Sequence, residues 1–171
     1  MAEPIADHRP LQTHILSELE ELDRAQAAVQ RHWQTSWHAT EPEVFINSVA
    51  LNLYSFYTGL ERLFSRIAVL IDGGTLTDDD RTDELLRQMA LALPGLRPAV
   101  LSRENAALLD ELRCFRHAVN SVPAANLIPR RMQPMIEMLP DLWADVRRQL
   151  ETFAAYLGTL SRADEDSPPS V

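Results

Sequence analysis

The stretch Leu109-Asp-Glu-Leu-Arg-Cys-Phe-Arg-His-Ala-Val-Asn-Ser121 concentrates residue types that handle phosphate. A guanidinium grips phosphate oxygens through two parallel hydrogen bonds, and an imidazole can carry a proton near neutral pH. Wound at about 100° per residue, the stretch puts Leu112, Phe115, Val119 and Val122 on one apolar arc and Arg113, Arg116, His117, Asn120 and Ser121 on the other. Arg113 and His117 are four residues apart, as are Arg116 and Asn120, so each pair can reach one bound group. The chemistry open to such a face is cleavage of an RNA backbone without a metal. The plainer alternative is that arginine and histidine on a helix exterior simply keep it solvated.

Elsewhere the chemical signals are weaker. Cys114 is the single cysteine, so it has no internal disulfide partner, and it reads as filler at the edge of the apolar arc. His32 and His38 are six residues apart, not the i, i+4 spacing that puts two ligands on one helical face. Asp78-Asp79-Asp80 lacks the glycine and the distal glutamate of an EF-hand and reads as favourable charge at a helix start. Glu61, Arg62 and Arg66 read first as a solvated stripe with pairing one turn apart. The alternative is that the carboxylate among them orients an arginine of the 109–121 stretch. The pattern asks for no cofactor and no metal.

Positioning that stretch is the task of the elements around it. Ser102 is suited to cap a helix from Arg103, and Pro123 cannot continue it beyond Val122. A first long helix follows from Leu11, Ile15, Leu19, Leu22, Val29, Trp33 and Trp37. Thr40 or a neighbour is a candidate cap for a second, in which Val49, Leu53, Phe56, Leu60, Leu63, Ile67 and Leu70 keep a 3- or 4-residue rhythm to Ile71. Asp72-Gly73-Gly74 supplies the glycine that a left-handed helix end favours. Gly59, unfavourable inside a helix by about 1 kcal/mol, suggests a close helix crossing. A polar loop over 75–82 leads to a short helix from about Arg81 to Leu93, ended by Pro94-Gly95. Arg130 and Arg131 begin a short segment containing Pro134, whose Met132, Met135 and Met138 read as core filler. A last helix from Asp141 carries Trp143, Val146, Leu150, Phe153, Leu157 and Leu160. Residues 1–10 and 161–171 are expected to be a flexible start and a disordered acidic, proline-rich tail around one bundle over 11–160. Nothing reads as a strand, so the expected fold is an all-α up-and-down bundle of four to five helices.

Composition fits that reading. A chain of 171 residues with 46% hydrophobic residues and 5 glycines suits one packed domain. It has no apolar run of about 18 residues and no charged start followed by an apolar stretch, so a cytoplasmic protein outside the membrane is expected. A net charge of −9 argues against a surface that embraces nucleic acid throughout. Yet residues 97–148 hold 8 arginines against 6 acids, and this one net-positive region contains the 109–121 stretch.

Ser48-Val-Ala-Leu-Asn-Leu-Tyr-Ser-Phe-Tyr-Thr-Gly-Leu-Glu-Arg-Leu-Phe-Ser-Arg-Ile-Ala, Leu85-Leu-Arg-Gln-Met-Ala, Arg97-Pro-Ala-Val and Phe115-Arg-His, in that order and spacing, resemble the HepT-like branch of the HEPN superfamily. The resemblance covers about residues 11–160. It implies a helical HEPN-type bundle that pairs as a homodimer, setting the Arg/His helix of each subunit across a shared cleft. It also implies a metal-independent endoribonuclease toxin with an MNT-type nucleotidyltransferase antitoxin as partner, RNA as substrate and no cofactor. In that scheme a histidine helps activate the ribose 2′-hydroxyl while an arginine stabilises the phosphorane. Arg116 matches the family's arginine. Ser121 stands where the family carries its histidine, with Asn120 beside it, and Pro123 stands at the tyrosine position that the partner adenylylates in some members. Two expectations follow: either Arg113 or Arg116 with His117 forms a shortened motif, or the chain is a degenerate form that keeps its dimer and partner surfaces.

Overall fold

Apolar residues recurring every three or four positions build five helices: α1 (Arg9–Ser36), α2 (Pro42–Ile71), α3 (Thr82–Met89), α4 (Arg103–Ser121) and α5 (Pro129–Glu165). The computed structural model describes residues 7–74, 82–121 and 129–165; the side chains of 82–83, 117–121 and 163–165 also lie outside the described residues. Among the described residues no strand forms, and one isolated bridge joins Leu93 to Arg97.

α1 packs on α2 and α5, while α2 also touches α3 and α4. The shared core takes Ile15, Leu19 and Val29 from α1, Phe56, Leu60 and Leu63 from α2, Leu109 and Leu112 from α4, and Val146 and Leu150 from α5. Each such side chain contributes about 1.5–3 kcal/mol of transfer free energy. Phe56 lies edge-on to Trp143, centroids 5.3 Å apart. The Trp143 indole N–H donates to Asp23 Oδ1 at 2.6 Å, and Arg147 pairs with the same carboxylate. Gly59 explains how α1 and α2 approach so closely: a Cβ there would meet Leu22 Cδ2 at 3.0 Å.

The ends of α2 and α4 follow the expected signals. Gly73 adopts φ +70° after α2, and the Gly74 N–H reaches the Ala68 carbonyl at 3.3 Å. Ser102 Oγ accepts the Asn105 N–H at 3.1 Å at the start of α4. The start of α2 has Glu41 at the cap position, without a side-chain cap, and Pro42 beginning the first turn.

Other boundaries differ from the sequence reading. The segment around Pro134 and the helix expected from Asp141 form one 37-residue helix, with Pro134 and Pro140 inside it. A proline deprives the carbonyl four residues earlier of its partner; for Pro140 that carbonyl belongs to Ile136, and Gln30 Nε2 of α1 donates to it at 2.8 Å. Buried Met132, Met135, Ile136, Leu139 and Leu142 hold both sides of the proline in the core. α1 already includes Arg9 and Pro10, and α5 runs through residues 161–165, where a flexible start and tail were expected. Residues 1–6 and 166–171, the Asp78–Asp80 run and the remainder of the 75–81 loop lie outside the described residues. Trp37, in phase with the apolar stripe of α1, is instead 64% exposed just beyond the helix and meets Trp33 edge-on at 5.7 Å.

α3 stops at Met89, four residues short of the expected Leu93, because its terminal carbonyls are claimed from elsewhere. Met89 O accepts the Val100 and Leu101 N–H groups at 2.8 and 3.1 Å. The fully buried Arg97 side chain enters the same turn. It grips Asp72 through Nε at 2.5 Å and Nη2 at 2.7 Å, and donates to the carbonyls of Gln88, Leu91 and Pro98. One guanidinium thereby ties the end of α2 to α3 and to the connection leading into α4.

Candidate functional site

α4 buries Asn105, Ala106, Leu109, Leu112 and Arg116. These recur at three- and four-residue steps, so Arg116 continues the core stripe by one turn. This corrects the expectation that Arg116 lies on the outer face with Arg113. Arg116 is 8% exposed, and its Nη1 forms an ion pair with Glu61 Oε2 of α2 at 2.7 Å. Its Cζ sits 5.5 Å from the centre of the Tyr57 ring, one helical turn before Glu61. Tyr57 and Glu61 thus hold the guanidinium from two directions by cation–π attraction and charge. Arg116 Nε is buried and meets no hydrogen-bond acceptor among the described residues.

Glu61 therefore serves the alternative considered from sequence, a carboxylate orienting an arginine of the 109–121 stretch, rather than a solvated stripe. Arg62 and Arg66 are exposed, as that stripe required.

Arg113 is the more accessible arginine, its side chain 21% exposed. Its Nε donates to Asp110 Oδ1 at 2.6 Å, and Nη2 approaches Cys114 Sγ at 3.8 Å. The Asp110 hydrogen bond holds the guanidinium above its ordinary pKa range. Cys114 is exposed, which corrects its reading as core filler. Phe115 packs partly against the core. α4 carries His117, Asn120 and Ser121 on its last turn, but their side chains lie outside the described residues, as do those of Val119 and Val122.

Tyr57 is the hub of this cluster. Burial pushes its hydroxyl pKa well above the ordinary tyrosine value; the Glu61 charge and, more weakly, Asp110 add to the rise, while Arg113 and Arg116 oppose it. Two guanidiniums and two carboxylates thus surround one neutral phenol. Sequence reasoning missed Tyr57; the signal available was its i, i+4 relation to Glu61.

Helix order, the arginine-bearing α4 and its hold on α2 place the chain in the class of all-α HEPN-type bundles. The family described as HepT-like protein matches residues 48–157, which include Tyr57, Glu61, Asp110, Arg113 and Arg116, and the chain belongs to that family. No curated protein and no solved structure matches it. No helix among the described residues is long and apolar enough to cross a membrane.

Proposed function

We propose that this protein is the toxin of a toxin–antitoxin pair and acts on RNA as a metal-independent endoribonuclease, with Arg116, Arg113 and His117 as the reacting constellation and Asn120 and Ser121 completing the helix turn. The observation that carries this reading is Arg116 itself, a guanidinium pre-set by Glu61 and Tyr57 on the helix that also bears His117. In the reaction His117 takes the proton of a ribose 2′-hydroxyl, the 2′-oxygen bonds to phosphorus to give a 2′,3′-cyclic phosphate, and the P–O5′ bond breaks, the 5′-oxygen taking a proton from water to leave as a hydroxyl. The guanidinium meets the extra negative charge on the phosphorane. A homodimer with α4 of each chain lining one cleft supplies room for the strand, and an MNT-type nucleotidyltransferase is the antitoxin.

A time course of RNA cleavage in EDTA tests this, comparing the parent chain with Ser121→His, Arg116→Ala and His117→Ala. Cleavage by the parent that both alanine variants abolish supports the shortened site. Cleavage unchanged in both alanine variants sinks it.

Ser121 at the family's histidine position favours a second reading, a non-catalytic dimer that binds the nucleotidyltransferase. Cleavage only by Ser121→His, together with co-purification of the parent with the product of a neighbouring nucleotidyltransferase gene, supports that one.

A further inference from the structure

We infer that Glu61 is a positioning residue for Arg116, holding Nη1 so that the Nε edge of the guanidinium is the one offered to a phosphate of bound RNA. This rests on the proposal that the α4 face binds RNA. A guanidinium has two edges able to engage an oxyanion pairwise, and a carboxylate fixed on one leaves the other oriented but uncommitted. Here Glu61 Oε2 stands 2.7 Å from Nη1, and the Tyr57 ring closes one flat face at 5.5 Å. The opposite edge carries Nε, buried and with no acceptor among the described residues. A donor so placed carries a desolvation penalty unless an acceptor arrives. By contrast, the other deeply buried arginine has Nε and both terminal nitrogens hydrogen-bonded to Asp72 and three carbonyls. Arg97 is built as a structural tie with every nitrogen paired, whereas Arg116 keeps a buried Nε without an acceptor among the described residues.

The test follows arginine Nε–H resonances in the full-length ¹⁵N-labelled protein, with Arg116 assigned by loss of its signal in Arg116→Ala. The probe is a short RNA with 2′-O-methyl riboses, which binds without being cut. RNA is expected to shift the Arg116 signal, and Glu61→Gln, which removes the charge of the ion pair, to weaken RNA binding about tenfold, or about 1.4 kcal/mol. Glu61→Asp should restore part of the affinity, and the Arg97 signal reports that the fold is intact. An Arg116 signal unmoved by RNA overturns the assignment. So does a Glu61→Gln protein with an intact Arg97 signal that binds as tightly as the parent. If Glu61→Gln disturbs Arg97, Glu61→Asp decides by the same readings, since unchanged affinity on shortening the carboxylate's reach overturns the assignment and weaker binding supports it. A parent chain that binds RNA through Arg116 but leaves cleavable RNA intact ends the ribonuclease reading while leaving the role of Glu61 standing.

Discussion

Arg116 and Glu61 form a largely buried pair, so removing one partner strands the other. Glu61→Leu and Arg116→Leu should each cost about 3 kcal/mol in urea unfolding, and the double variant clearly less than the sum. Additive losses would show that the two side chains do not share their energy. Tyr57 makes a separate prediction. Its folded pKa lies above the unfolded value, so its stabilising effect is complete below about pH 10 and is lost as pH rises through the folded value. Stability should therefore fall above pH 10 in the parent and fall less in Tyr57→Phe. The same slope in both proteins would remove Tyr57 as the cause. The 109–112–116 spacing already put Arg116 in phase with the core, but an arginine is assigned outward by its type. Only the complementary Glu61 and Tyr57 on another helix make the inward position tolerable, and a pairing between helices leaves no periodic trace in either one.

The five helices were legible to very different degrees. α1 and α2 declare themselves because a long apolar stripe has only one way to be buried. α5 was split at Pro134 and Pro140 because proline is a local signal, whereas the compensation at Ile136 comes from Gln30, 106 residues away. Gln30→Ala should cost about 1 kcal/mol. In a Pro140→Ala background, where the new N–H can take the Ile136 carbonyl, the cost should shrink towards zero, as a thermal-melt cycle would reveal. α3 depends on Arg97 in a similar way. Arg97→Lys keeps the charge but cannot reproduce the fork on Asp72 with three carbonyls, so a loss of about 3 kcal/mol is expected. Faster hydrogen exchange should appear at the amides of Val100 and Leu101. Unaltered exchange there would mean that α3 is held by its apolar face alone.

For the whole molecule, the proposed binding of RNA by an acidic chain through the two arginines of α4 predicts a shallow salt dependence. With about −0.7 per phosphate contact on a single strand, the slope of log K against log salt is expected near −1.4 for each α4 face. A slope several times steeper would require a cationic surface beyond this site. The all-α class was plain from the pattern, and so was the one-turn Asp110–Arg113 pair within α4, while the charge balance at Arg116 was not, because Glu61 lies on α2 and meets that arginine only after packing. That arrangement bears on biosynthesis. Asp23 of α1 waits for Trp143 and Arg147, sequence separations of 120 and 124. At about 5–20 residues per second on the ribosome, the first helix is made roughly 6–25 s before its last partner. Glu61 spends a shorter interval in water until Arg116 is translated. The nascent α1–α2 hairpin therefore presents Ile15, Leu19 and Phe56 to its surroundings before α5 can cover them, and chaperone capture should concentrate on that window.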